Sequence, residues 1–200
     1  MKTLSRRSIF TAVVLMLAVL TPSVSHAAKT HITEVSRLSS PPEGKALVNI
    51  HRIGGMGPFG ADIRIPIFDE SGKFLMDLPR KSECQFVFEP GPKTLITWFQ
   101  ANPVNIVTVD LAPNKTYDIV FDASMGIMPF FVPLSQAPHK LQNLKKLEGK
   151  LAPKVYALER DEVALAFEAS QKAHIEQIKA DFIGGKKSDR VIQVNKDDCR

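Results

Sequence analysis

Only two cysteines occur in the 200 residues, Cys84 and Cys199, and they form no C-x-x-C pair. Nothing in the sequence therefore points to thiol–disulfide chemistry. No H-E-x-x-H is present, and His31, His51, His139 and His174 show no metal-ligand spacing among themselves, so no metal centre is implied. There is no G-x-S-x-G elbow to present a nucleophilic serine. Apolar runs are short: the longest, residues 9–20, is about a dozen residues, against the ~20 that cross a bilayer. No internal repeat is present.

The N-terminus has the three parts of an export signal. Lys2, Arg6 and Arg7 form a basic front, residues 9–20 an apolar run, and Ser25-His26-Ala27 sets small residues where a signal peptidase cuts. Ser5-Arg6-Arg7-Ser8-Ile9-Phe10 partly resembles a twin-arginine motif, which leaves the export route open. No cysteine lies near the end of the run, which excludes a lipoprotein anchor. Cleavage removes three basic residues and no acidic ones, lowering the formal charge from +5 to about +2. That is not the balance of a nucleic-acid binder. The expected location is periplasmic or secreted, with no transmembrane segment after cleavage.

In an oxidising compartment Cys84 and Cys199 are open to a disulfide. It would close a loop of about 100 residues, which the chain-entropy model credits with up to ~4.7 kcal/mol. A buried Cys84 with a free Cys199 on the tail is the alternative.

The body of the mature chain alternates apolar and polar residues. Ala46, Val48 and Ile50 alternate with Leu47, Asn49 and His51. Ile63, Ile65 and Ile67 continue the pattern, and Pro66 suggests an edge strand. Further strands are expected over 73–78, 84–88, 93–100, 104–111 and 116–122, punctuated by Ser71-Gly72, Pro90-Gly91-Pro92, Asn102-Pro103 and Pro113-Asn114-Lys115. Seven such strands predict a mainly β fold, an antiparallel β-sandwich-like domain over 43–136. It follows the signal peptide (1–27) and an extended leader (28–42). Residues 137–200 form a helical C-terminal region with a polar tail: a short basic helix over 140–150 and a stronger one over 155–183. In the latter Val163, Phe167, Ile175, Ile178 and Phe182 share one apolar stripe, with Gly184-Gly185 as the stop.

Several features carry two readings each. Gly55-Met56-Gly57-Pro58-Phe59-Gly60 spells G-x-G-x-x-G, but Pro58 removes a phosphate-binding N–H and a strand follows instead of a helix, so it reads as a hairpin loop. His51 and Arg52 could bind an anion beside that loop, or be solvated strand-end residues. Asp110, Asp118 and Asp122 read as a solvated sheet face. The uncharged stretch 125–133, with Ile127, Met128, Phe130 and Phe131, is either a hydrophobic docking loop or a crossing segment covered by the C-terminal helix. Lys140, Lys145, Lys146, Lys150 and Lys154 make a basic patch, solvated or drawn to anionic lipid.

Three segments carry a resemblance. Pro42-Glu43-Gly44-Lys45-Ala46 with the alternating residues to Arg52, the turn Glu89-Pro90-Gly91-Pro92-Lys93-Thr94-Leu95, and Leu111-Ala112-Pro113-Asn114-Lys115-Thr116-Tyr117 resemble a family of uncharacterised exported bacterial proteins with a small β-domain. The likeness covers residues 42–122. It implies a transthyretin-like or related sandwich and an envelope location, and no particular chemistry. Many members are lipoproteins, and this chain departs from them in lacking the lipid-bearing cysteine.

The functional expectation is an exported, non-enzymatic binding or envelope-interaction module with an unknown protein or lipid partner. No cofactor, catalytic set or nucleic acid is implied. The surface to test is Ile127, Met128, Phe130 and Phe131 together with His51 and Arg52. A lipid- or membrane-surface protein and a hydrolase with an unrecognised site stand beside it as alternatives.

Overall fold

A computed structural model describes residues 30–52, 65–79, 81–98, 104–122, 130–133, 154–183, 185, 187 and 191–199. These form two mixed β-sheets and one helix. Sheet A has the order β1-β10-β5-β2-β8-β9 and sheet B the order β11-β7-β6-β3-β4. The strands are β1 (Ile32–Val35), β2 (Ala46–Arg52), β3 (Pro66–Asp69), β4 (Phe74–Asp77), β5 (Ser82–Phe88), β6 (Gly91–Trp98), β7 (Val104–Leu111), β8 (Thr116–Asp122), β9 (Phe130–Pro133), β10 (Lys154–Leu158) and β11 (Ile192–Val194). The helix is α1 (Glu162–Phe182).

The mainly β expectation holds, but the sheets are not purely antiparallel. β2 pairs with β8, β10 with β5 and β11 with β7 in parallel. The alternating segments correspond to β2 through β8. The others, β1, β9, β10 and β11, are three to five residues long. β3 lies between β6 and β4 and is not an edge strand. Pro66 is tolerated because it is the strand's first residue, where a missing N–H costs least.

Period-2 patterning explains the core. Ala46, Val48, Ile50, Tyr117, Ile119 and Phe121 point from sheet A toward Ile67, Leu95, Val107, Val109 and Leu111 of sheet B, all essentially buried. The opposite face of sheet B holds Phe68, Phe74, Ile96, Trp98 and Ile106, and against these α1 packs Ala164, Ile175, Ile178 and Phe182. Phe68 stacks on Trp98 at 5.0 Å and 10°, while Phe167 meets Phe74 edge-on at 5.0 Å. The helix thus covers its own sheet, in a three-layer arrangement. Its apolar stripe is taken by sheet B, which removes the reason for it to cover the 125–133 stretch. Of that stretch, only the backbone of Phe130–Pro133 is described, as β9 beside β8.

The helix is shorter than the expected 155–183, because residues from 154 to 158 form β10 between β1 and β5. Asp161 is the N-cap, and its side chain accepts a hydrogen bond from the Ala164 N–H at 2.9 Å. Glu168 closes the edge of sheet B by accepting the Phe74 N–H (2.8 Å) and both Arg160 terminal nitrogens (3.1 Å). Among the described residues no helix is long and apolar enough to cross a membrane.

The expected disulfide is not formed; both cysteines are free. Cys84 is buried on β5, facing the core. Cys199 bridges Tyr117 of β8, whose other side is already occupied by Val48 of β2. The order Cys84–β2–β8–Cys199 spans three strand spacings of ~4.8 Å, beyond the ~7 Å limit between bonded cysteine Cα atoms. The C-terminus is tied back by backbone pairing instead. Burial pushes the Cys84 thiol far up, with the neighbouring Glu83 charge adding to it. Native protein is therefore expected to alkylate at Cys199 alone and to expose a second thiol only in denaturant, as mass spectrometry after maleimide labelling will read out.

Candidate functional site

The outer face of sheet A carries polar residues out of phase with the core. His51 lies opposite Glu83 of β5, Asn49 opposite Gln85 of β5, and Asn49 also opposite Asp118 of β8. This face is not solvated. Glu83 is 0%, Asn49 1%, His51 4% and Asp118 8% exposed. His51 and Asp118 thus depart from the expected solvated strand end and solvated sheet face.

Register explains the burial. His51 bridges two acids, with Nε2 3.0 Å from Asp118 Oδ1 and Nδ1 3.3 Å from Glu83 Oε2. Asn49 donates to the same Asp118 oxygen at 2.9 Å. Burial alone pulls the imidazole toward its neutral form, but the hydrogen bonds and charges of Asp118 and Glu83 outweigh it, and its pKa is raised above 6.5. A histidine with both ring nitrogens engaged by carboxylates has no free lone pair to act as a base. Arg52 points the other way along the strand and donates to the Leu78 carbonyl at 2.7 Å. It is 3% exposed, and it belongs to the interior, not to a docking surface.

Residues 36–41, after β1, lie as a strap over this face. The Gln85 amide binds the Leu38 backbone at both ends, accepting its N–H (2.7 Å) and donating to its carbonyl (3.1 Å). It also donates to Asn49 Oδ1 at 3.0 Å, joining strap and network. From the strap, Arg37 reaches Glu83 Oε2 at 3.1 Å. Two cations thus converge on one carboxylate oxygen. Both Glu83 oxygens are buried without a hydrogen-bond partner, and Oε2 has only these two ion-pair contacts.

Between strap and sheet runs a groove of about 560 Å³. Its apolar lining is Leu38, Pro41 and Leu47; its polar lining includes Ser39, Ser40, Asn49 and Thr116, with Arg37 also on its wall. The β7–β8 turn helps to frame it. Asn114 adopts φ +59 and accepts the Gly44 N–H at 2.7 Å, tying that turn to the start of β2. The groove meets the buried network at two points, Asn49 and Arg37. Val35, Leu38 and Val87, each about 40% exposed, belong to the same region of sheet A and its strap.

Ile127, Met128, the 55–60 glycine loop and Lys140 to Lys150 lie outside the described residues. For Phe130 and Phe131 the structure gives a backbone position on β9, at the end of sheet A opposite β1. His174, within the helical stripe, is exposed and meets Trp98 edge-on at 4.9 Å. His31 comes together with Glu159 and Asp161 at the surface, with ligand-capable atoms within 4.8 Å of one another. Asp161 caps α1 there and its carboxyl is held low, first by the Ala164 N–H and then by His31.

No protein-family model matches the chain, and neither does any curated protein.

Proposed function

We propose that this chain is an exported, non-enzymatic binding module of the bacterial cell envelope, and that its ligand lies in the groove between residues 36–41 and the outer face of sheet A. The observation that carries this reading is Arg37, which lines the groove and also pairs with Glu83, a buried carboxylate whose two oxygens have no hydrogen-bond partner. Buried polar atoms are almost always satisfied, and an exception calls for an explanation. The groove mixes apolar lining with a few convergent polar groups, as ligand sites do. Export rests on the N-terminal signal, and the binding role is favoured over hydrolysis by the His51 arrangement. That histidine is fixed between two acids that raise its pKa, and burial raises the pKa of the Cys84 thiol in the core.

Ser40, on the exposed strap, is the position to fill. Ser40→Trp is expected to leave the melting temperature unchanged and to remove any small molecule that the wild-type protein retains in native mass spectrometry after gentle purification. Retention of the same mass by both proteins places the ligand elsewhere.

A further inference from the structure

We infer that Arg37 is a built-in stand-in, and that the groove takes a ligand whose guanidinium group replaces that of Arg37 on Glu83. This rests on the groove being the binding site, and it names the chemistry that the site selects.

A guanidinium offers five N–H donors in a planar fork that matches both oxygens of a carboxylate. Arg37 uses a single contact, Nη2 to Oε2 at 3.1 Å. It shares that oxygen with His51 Nδ1, which stands 3.3 Å away. Neither Glu83 oxygen has a hydrogen-bond partner. A guanidinium that engaged both oxygens would give Glu83 the two-pronged bond that Arg37 does not make.

The exchange needs little movement. The Arg37 side chain is 38% exposed, so it can swing into solvent, while Gln85 keeps the strap in place through Leu38. Arg37 lines the groove itself, so its departure opens the way from groove to carboxylate. One guanidinium leaves and another enters, so the balance of Glu83 and Asp118 against His51 is unchanged. The neutral amides and hydroxyls of Asn49, Ser39, Ser40 and Thr116 suit the backbone of a peptide, which makes an arginine side chain in an extended segment the fitting occupant.

The test is calorimetric titration of the full mature protein with a short blocked peptide carrying one arginine. The same peptide with citrulline, equal in shape and uncharged, is the control. The arginine peptide is expected to bind and the citrulline peptide not to. Arg37→Ala and the better-packing Arg37→Gln are both expected to bind the arginine peptide about 10-fold tighter, because the internal competitor that reduced the binding-competent fraction is gone. Equal binding of the two peptides, weaker binding by both variants, or no binding at all overturns the inference. If a retained mass is still lost in Ser40→Trp, the groove stands as a binding site and only its preference for a guanidinium fails.

Discussion

Replacing His51 with Gln is expected to destabilise the protein by about 3–5 kcal/mol below pH 6.5, the usual scale for removing one partner of a buried charge pair. Two acids, one fully buried and the other nearly so, would lose the cation between them, and both Glu83 oxygens already lack a hydrogen-bond partner. The sign of the pH dependence follows from the raised pKa. The proton on His51 is held more tightly in the folded chain than in the unfolded one, so its stabilisation is complete below pH 6.5 and is lost as pH rises through the folded value. Urea unfolding of wild type should therefore weaken on the alkaline side. His51→Gln should lack that component, so the gap between the two narrows with rising pH. A wild-type profile with no alkaline loss, or a gap of less than ~1 kcal/mol at acidic pH, means that His51 is a neutral spectator.

Phe68→Ala is expected to cost a similar amount, about 3–5 kcal/mol, through cavity formation. The fully buried Phe68 ring touches Phe74, Trp98 and Phe167, and so joins sheet B to α1. The loss should be uneven. The layer between sheet B and the helix is separate from the core between the two sheets. Amide hydrogens of residues 162–182 should therefore exchange faster, while those of β2 and β8 keep most of their protection. Equal acceleration throughout would mean that the two layers unfold as one unit.

Sequence patterning made β2 through β8 legible because alternate positions along them carry the apolar residues that fill the core between the sheets. Pairing was not legible. β10 is inserted between β1 and β5, and β11 joins β7, through partners more than 70 residues away, which no local period records. Val155 to Leu158 read as the start of the helix because a short apolar stretch fits either period. Asp161, an N-cap residue followed by Glu162, was the available signal that the helix starts later.

The site was half visible. His51 reads as a solvated strand end when β2 is taken alone. The sign of something else lies in the second parity: Asn49 and His51 on β2, Glu83 and Gln85 on β5 and Asp118 on β8 all oppose the core set. Matching acids, amides and a histidine on three strands point to one shared polar layer. Knowing that these strands are neighbours requires the register, and knowing that the layer is covered requires Arg37 and Leu38 on the leader. The cysteine pair misled for the same reason: distance along the chain says nothing of the two strands, β2 and β8, that separate Cys84 from Cys199.

Hydrogen exchange will test the central claim most directly. The protein purified gently from its own envelope is compared with the same protein stripped by unfolding and refolding, peptide by peptide. The account predicts slower exchange in the unstripped sample at residues 36–41, 47–49 and 114–116, the walls of the groove. Protection confined to 130–133, or no difference between the samples, would contradict it.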